Sequence, residues 1–263
     1  MRRTTLVALC LVATTTVGLT ACQSGGQDDD GSGTSASASK PASASAPAEP
    51  FAGLTGAQIA DRAVEATTGA RSLRMTGDVS DDESGGTITI DLAMDRQGEC
   101  AGTMSLDGQG EAELIKTGGT LYMKYDEKFL RAQSEGEPAA DTDAAVAMLA
   151  GKWTKMAATG QDAKDMAGFC DLDTMLGEME GAGQDVTRGK PATVGGAPAL
   201  VLHEKDGADR NALYVATEGK PYLLRFDSVS DKDPGTMTFS AYDEPVAAKA
   251  PSGDILDLDA LGG

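Results

Sequence analysis

Four cysteines and a single histidine are the residues here whose types and positions could support covalent or metal chemistry. Cys22 stands directly after Leu19, Thr20 and Ala21. A thiol in that place can take a diacylglyceryl group as a thioether, and small residues before it admit a signal peptidase, so a lipidated Cys22 would become the first residue. Cys10 would leave with the segment removed. Cys100 and Cys170 then remain as a pair in an oxidising compartment, where disulfides persist, and they are expected to be bonded, with two buried thiols as the alternative. Closing that 70-residue separation would constrain the unfolded chain by about 4 kcal/mol. These two cysteines and His203 are too few ligands for a metal site. Asp28, Asp29, Asp30 and Ser32 echo a calcium loop but lack its closing bidentate Glu. His203 sits inside an alternating segment with Leu200, Leu202 and Glu204, and no nucleophile elbow accompanies it. It reads as a solvent-facing strand residue. No catalytic residue, metal or cofactor is expected, and the chain is not expected to be an enzyme.

The segment around Cys22 has the anatomy of an export signal: Arg2 and Arg3, an apolar stretch from Leu6 to Leu19, then small residues. It is too short to span a bilayer. Its end matches the lipobox of bacterial lipoproteins, the alternative being an ordinary secretory signal with a coincidental cysteine. Residues 1–21 are therefore expected to be a lipoprotein signal peptide, and Cys22 an anchor on the extracytoplasmic face of the cell membrane. Two or three acyl chains hold a protein there stably where one would not. Residues 22–50 are nearly all Gly, Ser, Ala, Thr, Pro and Asp, a composition that cannot offset the entropy of ordering and reads as a tether. The 28 residues from Gln23 to Pro50 would span roughly 30 Å as a flexible coil and about 95 Å when stretched.

Residues 51–263 are long enough for one domain with a substantial core. The chain carries 22 basic and 41 acidic residues, and without Arg2 and Arg3 the balance is 20 against 41, a net charge of −21. Nucleic acid is excluded as a partner on that charge, and anionic headgroups are repelled, so membrane contact should come from the anchor.

The elements that must position any site follow from periodicity. Thr55 and Gln58 form a capping box, with Leu54 and Ile59 as a hydrophobic staple, and Gly69 suits the stop of this first helix. Alternation predicts strands over Arg71–Ser80, Thr87–Met94, Cys100–Leu106, Glu111–Thr117 and Thr120–Asp126, punctuated by Gly85-Gly86, Asp107-Gly108 and Gly118-Gly119. The middle changes to helical spacing, with Asp143 expected to cap a helix carrying Val146 and Leu149, and Asp171 a second carrying Leu172, Met175 and Leu176. Trp153 is expected to anchor the core beside the first of these. Strands return over Asp185–Thr193, Pro198–Lys205, Asn211–Thr217, Tyr222–Val229 and Gly235–Tyr242. About ten short antiparallel strands without crossover helices exclude a doubly wound sheet. The expected fold class is α+β: a strongly curved antiparallel half-barrel with helices covering its concave face.

The lipobox and tether, the step Gly151-Lys152-Trp153, the segment Ala212 to Arg225 (ALYVATEGKPYLLR) and the ending Phe239 to Pro251 (FSAYDEPVAAKAP) resemble the LppX and LprG type of actinobacterial lipoprotein, a group related in fold to the carrier LolA. The resemblance implies a half-barrel whose concave face encloses a cavity for acyl chains. It also implies a role in binding a lipid or lipoglycan and carrying it outward from the membrane. It carries no ligand triad to transfer residue by residue.

Candidates to line such a cavity are the apolar phases of the strands: Ile88, Ile90, Leu92, Met94, Met104, Leu106, Leu121, Met123, Leu200, Leu202, Leu213, Val215, Met237 and Phe239. Methionine adapts to irregular apolar partners. Apolar alternation marks core and cavity positions alike, so a dry core is the alternative for each. A second function class stays open, a surface-tethered sensory or protein-interaction module of the same fold with no lipid cargo. Replacing Cys22 by Ser is expected to release the protein into the medium, measured by fractionating cells; a variant that stays with the membrane contradicts the anchor.

Overall fold

The structure, a computed structural model, describes residues 49–80, 86–159, 161–177, 185–206, 209–229 and 234–261, all within one compact unit from Pro47 to Gly263. Leu19 to Cys22, the rest of the leading segment and Gly85 lie outside the described residues. Helix α1 (Gly56–Thr68) opens on the expected capping box: Thr55 accepts from the Gln58 amide, and Gln58 from that of Thr55. Five strands follow as a meander, β1 (Ser72–Ser80), β2 (Thr87–Asp95), β3 (Cys100–Leu106), β4 (Glu111–Thr117) and β5 (Thr120–Tyr125). Then come helices α2 (Glu127–Gln133) and α3 (Ala139–Leu149), strand β6 (Trp153–Ala157), and helices α4 (Gln161–Gly168) and α5 (Leu172–Gly177). A second meander of β7 (Val186–Val194), β8 (Ala197–Asp206), β9 (Asp209–Ala216), β10 (Leu223–Val229) and β11 (Pro234–Ser240) precedes the short β12 (Ile255–Asp257).

The strands form one open sheet in the order β12-β6-β5-β4-β3-β2-β1-β11-β10-β9-β8-β7. The two meanders meet where β1 pairs antiparallel with β11. Among the described residues there are twelve strands where about ten are expected. The extra pair is β6, five residues long, and β12, three residues long and parallel to β6. Neither is long enough to show a clear period of two.

Register carries an inward-facing row across nine strands: Leu202, Leu213, Phe226, Met237, Gly77, Ile90, Met104, Ala112 and Tyr125. A parallel row runs Phe239, Met75, Leu92, Gly102, Leu114, Met123 and Thr154. Helix α1 lies over β7 to β10 with Ile59, Ala60 and Ala63 fully buried. Ala163 of α4 and Leu172 and Leu176 of α5 join the same core. Burying each large aliphatic side chain there contributes about 1.5–3 kcal/mol. The convex face is polar and laced by cross-strand pairs such as Lys124 with Glu113 and Thr89 with Asp78.

Two local expectations change, and one helix appears where none is expected. Asp143 lies inside α3, which starts after Pro138; proline fixes the entry, and Asp143 instead pairs with Arg131 of α2. Helix α2 itself, capped by Asp126, occupies residues whose short apolar pattern falls below one clear helical repeat. Trp153 points to the convex side, half-buried with the Lys124 ammonium 5.8 Å from its ring centroid, because strand alternation gives the inward position to Thr154, whose hydroxyl donates to the Met123 carbonyl.

Two inward glycines let the sheet bend. A Cβ added to Gly77 would stand 1.9 Å from the Thr236 carbonyl oxygen, and one on Gly102 1.9 Å from that of Asp91. Neighbouring strands close over these positions as at a barrel corner, where only glycine fits. Gly77→Ala and Gly102→Ala should each destabilise the domain by about 1–3 kcal/mol through overpacking, whereas Gly168→Ala, with open space at its Cβ, should fall within about 0.5 kcal/mol of the parent. Denaturant unfolding checks this, and equal effects at all three positions contradict the corner assignment.

Candidate functional site: the concave face and its two ends

The concave face has a tied end and an open end. At the tied end the disulfide Cys100–Cys170, with Cα atoms 5.4 Å apart, fastens the α4–α5 joint to β3. Arg96, in the β2–β3 turn, adds a second tie: its Nε donates to the Ala70 carbonyl at 2.8 Å, and its guanidinium also reaches the Thr68 carbonyl and the Asp173 carboxylate. The end of α1 is held in turn by the buried Thr67 hydroxyl, which accepts from the Leu223 amide at 2.9 Å.

The two sequence segments noted above, ALYVATEGKPYLLR and FSAYDEPVAAKAP, meet at this same end. Tyr222 and Tyr242 stack with ring centroids 3.9 Å apart and planes 1° from parallel. Asp243 accepts from the Tyr222 hydroxyl at 2.7 Å, the Lys220 ammonium at 2.9 Å and the Arg71 amide at 2.9 Å. These donors hold its carboxyl well below the usual carboxylate range, the Arg71 amide foremost. Burial pushes the Tyr242 phenol upward, and its hydroxyl donates to the Leu223 carbonyl. Ala241 and Asp243 both take positive φ, 49° and 60°, so the chain turns sharply as it leaves β11 and seals the base of the sheet.

The opposite strand ends are built differently. The last inward positions there are Ile88 and Leu106, paired across β2 and β3, with Met104, Tyr125 and Phe226 one row behind. All five are half-buried, as is Phe129 of α2, which stacks on Tyr125 with centroids 5.5 Å apart. Burial raises the Tyr125 phenol. Across β8 and β9 the same end carries Glu204, whose carboxylate accepts from the Asn211 amide at 3.0 Å. Helices α2 and α3 are inserted here, between β5 and β6, and the chain returns through a Gly151 amide bond to the Tyr125 carbonyl. Helix α3 has no buried residue, and Met148 on it is 49% exposed.

Of the sequence candidates, Ile90, Leu92, Met94, Leu121, Met123, Leu200, Leu202, Leu213, Val215, Met237 and Phe239 lie in one buried cluster, against which Ile88 and Met104 pack. Leu106 is half-buried at the open end. His203 is exposed. Sequence reasoning missed Tyr125, Phe129 and Phe226, which close the same apolar surface, because each sits at an element boundary or beside a bulge, where period-two counting fails. It also missed Arg188 on β7, whose guanidinium reaches four oxygens of residues 49–54. No sequence pattern marks a side chain that binds backbone carbonyls far away in the chain.

LprF from Mycobacterium bovis superposes with a TM-score of 0.51 at 15% identity, covering 75% of this chain and 97% of its own. The lipoprotein LppX from Mycobacterium tuberculosis aligns with a TM-score of 0.46 at 12% identity, covering 73% and 97%. The chain shares its fold with LprF. No protein-family model matches the sequence, and no curated protein matches it. Among the described residues no helix is long and apolar enough to cross a membrane.

The Asp243 cluster predicts an acid-sensitive base. Its folded pKa is depressed, so its contribution is complete above the unfolded value near pH 4 and is lost as the pH falls through the folded one. Asp243→Asn should melt a few degrees lower than the parent at pH 7, and that gap should narrow in acid below about pH 4. Paired thermal melts at both pH values test this, and a gap that stays constant or widens in acid contradicts it.

Proposed function

We propose that this protein is a lipoprotein anchored by Cys22 to the extracytoplasmic face of the membrane, with residues 22–50 as its tether, which binds the acyl chains of a lipid or lipoglycan against the concave face of its half-barrel and can carry them across the cell envelope. The observation that carries the reading is the continuous apolar inner face, buried at depth and half-buried at the open end. Acyl chains enter between the open-end residues Ile88, Met104, Leu106 and Phe226 and the aromatic pair Tyr125 and Phe129. Each methylene withdrawn from water contributes about 0.8 kcal/mol, so a long chain binds strongly without a charged partner. The candidate residues deeper in the sheet, from Ile90 and Leu92 to Met237 and Phe239, line the path as helices α1, α4 and α5 give way. The disulfide keeps α4 and α5 attached to β3 while they do so. The fold shared with LprF supports this class of function, and the chemistry of the face gives no support to catalysis.

Native mass spectrometry of residues 51–263, purified unlipidated from an actinobacterial host, is expected to show a lipid adduct. Met104→Glu, which sets a carboxylate in the entry, should lower its occupancy while leaving the fold intact by circular dichroism. Repeated preparations without any adduct would sink the lipid-binding reading.

A further inference from the structure

The chain enters the domain at a fixed place. Arg188 Nη1 donates to the carbonyls of Phe51 at 2.9 Å and Leu54 at 3.1 Å, and Nη2 to the Pro50 carbonyl at 2.9 Å and the Glu49 carboxylate at 3.1 Å. A planar guanidinium suits such convergent acceptors as an ammonium does not. Immediately after this clamp, α1 begins so close to β7 that a Cβ on Gly56 would lie 2.4 Å from the Val186 carbonyl.

Val186 belongs to the open end. It pairs with Glu204, Glu204 with Asn211, Asn211 with Ser228 and Ser228 with Gly235, the strand ends that continue across β1 to Ile88 and Leu106. The α2–α3 insertion, with Ala144, Ala147 and Met148 exposed, stands at those same strand ends. Helix α3 has no buried residue, and between Asp141 and Asp143 it exposes one apolar stripe, Ala140, Ala144, Ala147 and Met148, at i, i+4, i+7 and i+8 spacing.

We propose that Arg188 is a positioning residue that fixes the exit of the tether at the open end, and that the exposed stripe of α3, Ala140, Ala144, Ala147 and Met148, docks there on the bilayer holding Cys22. The inference rests on the anchor read above. The polar composition of residues 23–48 makes that segment a poor cover for an apolar stripe. The membrane is the apolar phase that the anchor keeps within tether reach. Exit and apolar surface on one end turn the mouth toward the lipid it would load, whereas an exit at the tied end would turn it away. The convex face is polar and the chain acidic, so docking relies on apolar contact and not on anionic headgroups.

The test is amide hydrogen exchange of the full lipidated chain on phosphatidylcholine vesicles, compared with Cys22→Ser in solution. Exchange in residues 127–149 should slow on vesicles. Arg188→Gln and Met148→Asp should both lose that slowing while remaining vesicle-bound; Met148 is exposed, so its replacement leaves folding unchanged and keeps the test valid even where Arg188→Gln folds poorly. Lipidated wild-type protein that shows no slowing overturns this inference alone, as does slowing that survives in both variants. Loss in Met148→Asp with full retention in Arg188→Gln overturns the role of Arg188. A Cys22 that carries no lipid by intact mass overturns the anchor and this inference together.

Discussion

Where each inward side chain of this protein lies is set by how sharply the sheet turns at Gly77 and Gly102. A strand bends this far only if the neighbouring backbone can pass over the position on its concave side, and a methyl group at either site would overlap a carbonyl oxygen at 1.9 Å. The buried apolar cluster is arranged around that curvature. In a flat sheet of the same strands helix α1, which lies over β7 to β10, would by itself leave the inward Leu, Ile and Met side chains of the other strands uncovered. Bending brings both meanders to bear on one volume, so that Leu213 and Ile90, from distant parts of the chain, enter the same core.

The ends of that volume are stabilised by different physics. The tied end combines a covalent link, a guanidinium serving three backbone or carboxylate oxygens and a carboxylate serving three donors. Such directional contacts fix geometry and leave little freedom to part the helices from the sheet. The open end is held by half-buried apolar and aromatic contacts, which are non-directional and can be exchanged for contacts with another apolar body at small cost. The hydrocarbon entry proposed above depends on this asymmetry, one end able to part and the other held closed.

Much of this was legible from residue order. The ten longer strands, the capping box at Thr55, the Asp171 cap and the Cys100–Cys170 bond each depend on local pattern or on simple counting, and each is found where expected. The inward phase of the strands was legible for the same reason: alternation fixes which side chains share a face. What escaped depends on contacts distant in sequence. Trp153 is apolar enough to suggest a core position, yet its neighbour Thr154 takes the inward place because β6 enters the sheet beside β5 in a register that five residues cannot announce. Lys220, Tyr222, Tyr242 and Asp243 lie in the segments that drew attention as strand-and-turn patterns, and only folding reveals them as one cluster.

Arg188 shows the same limit in its most consequential form. In sequence it is a basic residue in an expected strand, adjacent to a glycine, with nothing to separate it from a solvated surface charge. In the fold its side chain lies in the row of Leu202 and Leu213 and turns back on residues that precede α1. An arginine among apolar neighbours is costly unless its donors are met, and here four oxygens meet them. That satisfaction makes the entry of the chain a defined feature of the domain. It fixes the point at which the preceding chain leaves the domain, on the side of α1 that begins beside Val186 at the open end of the half-barrel.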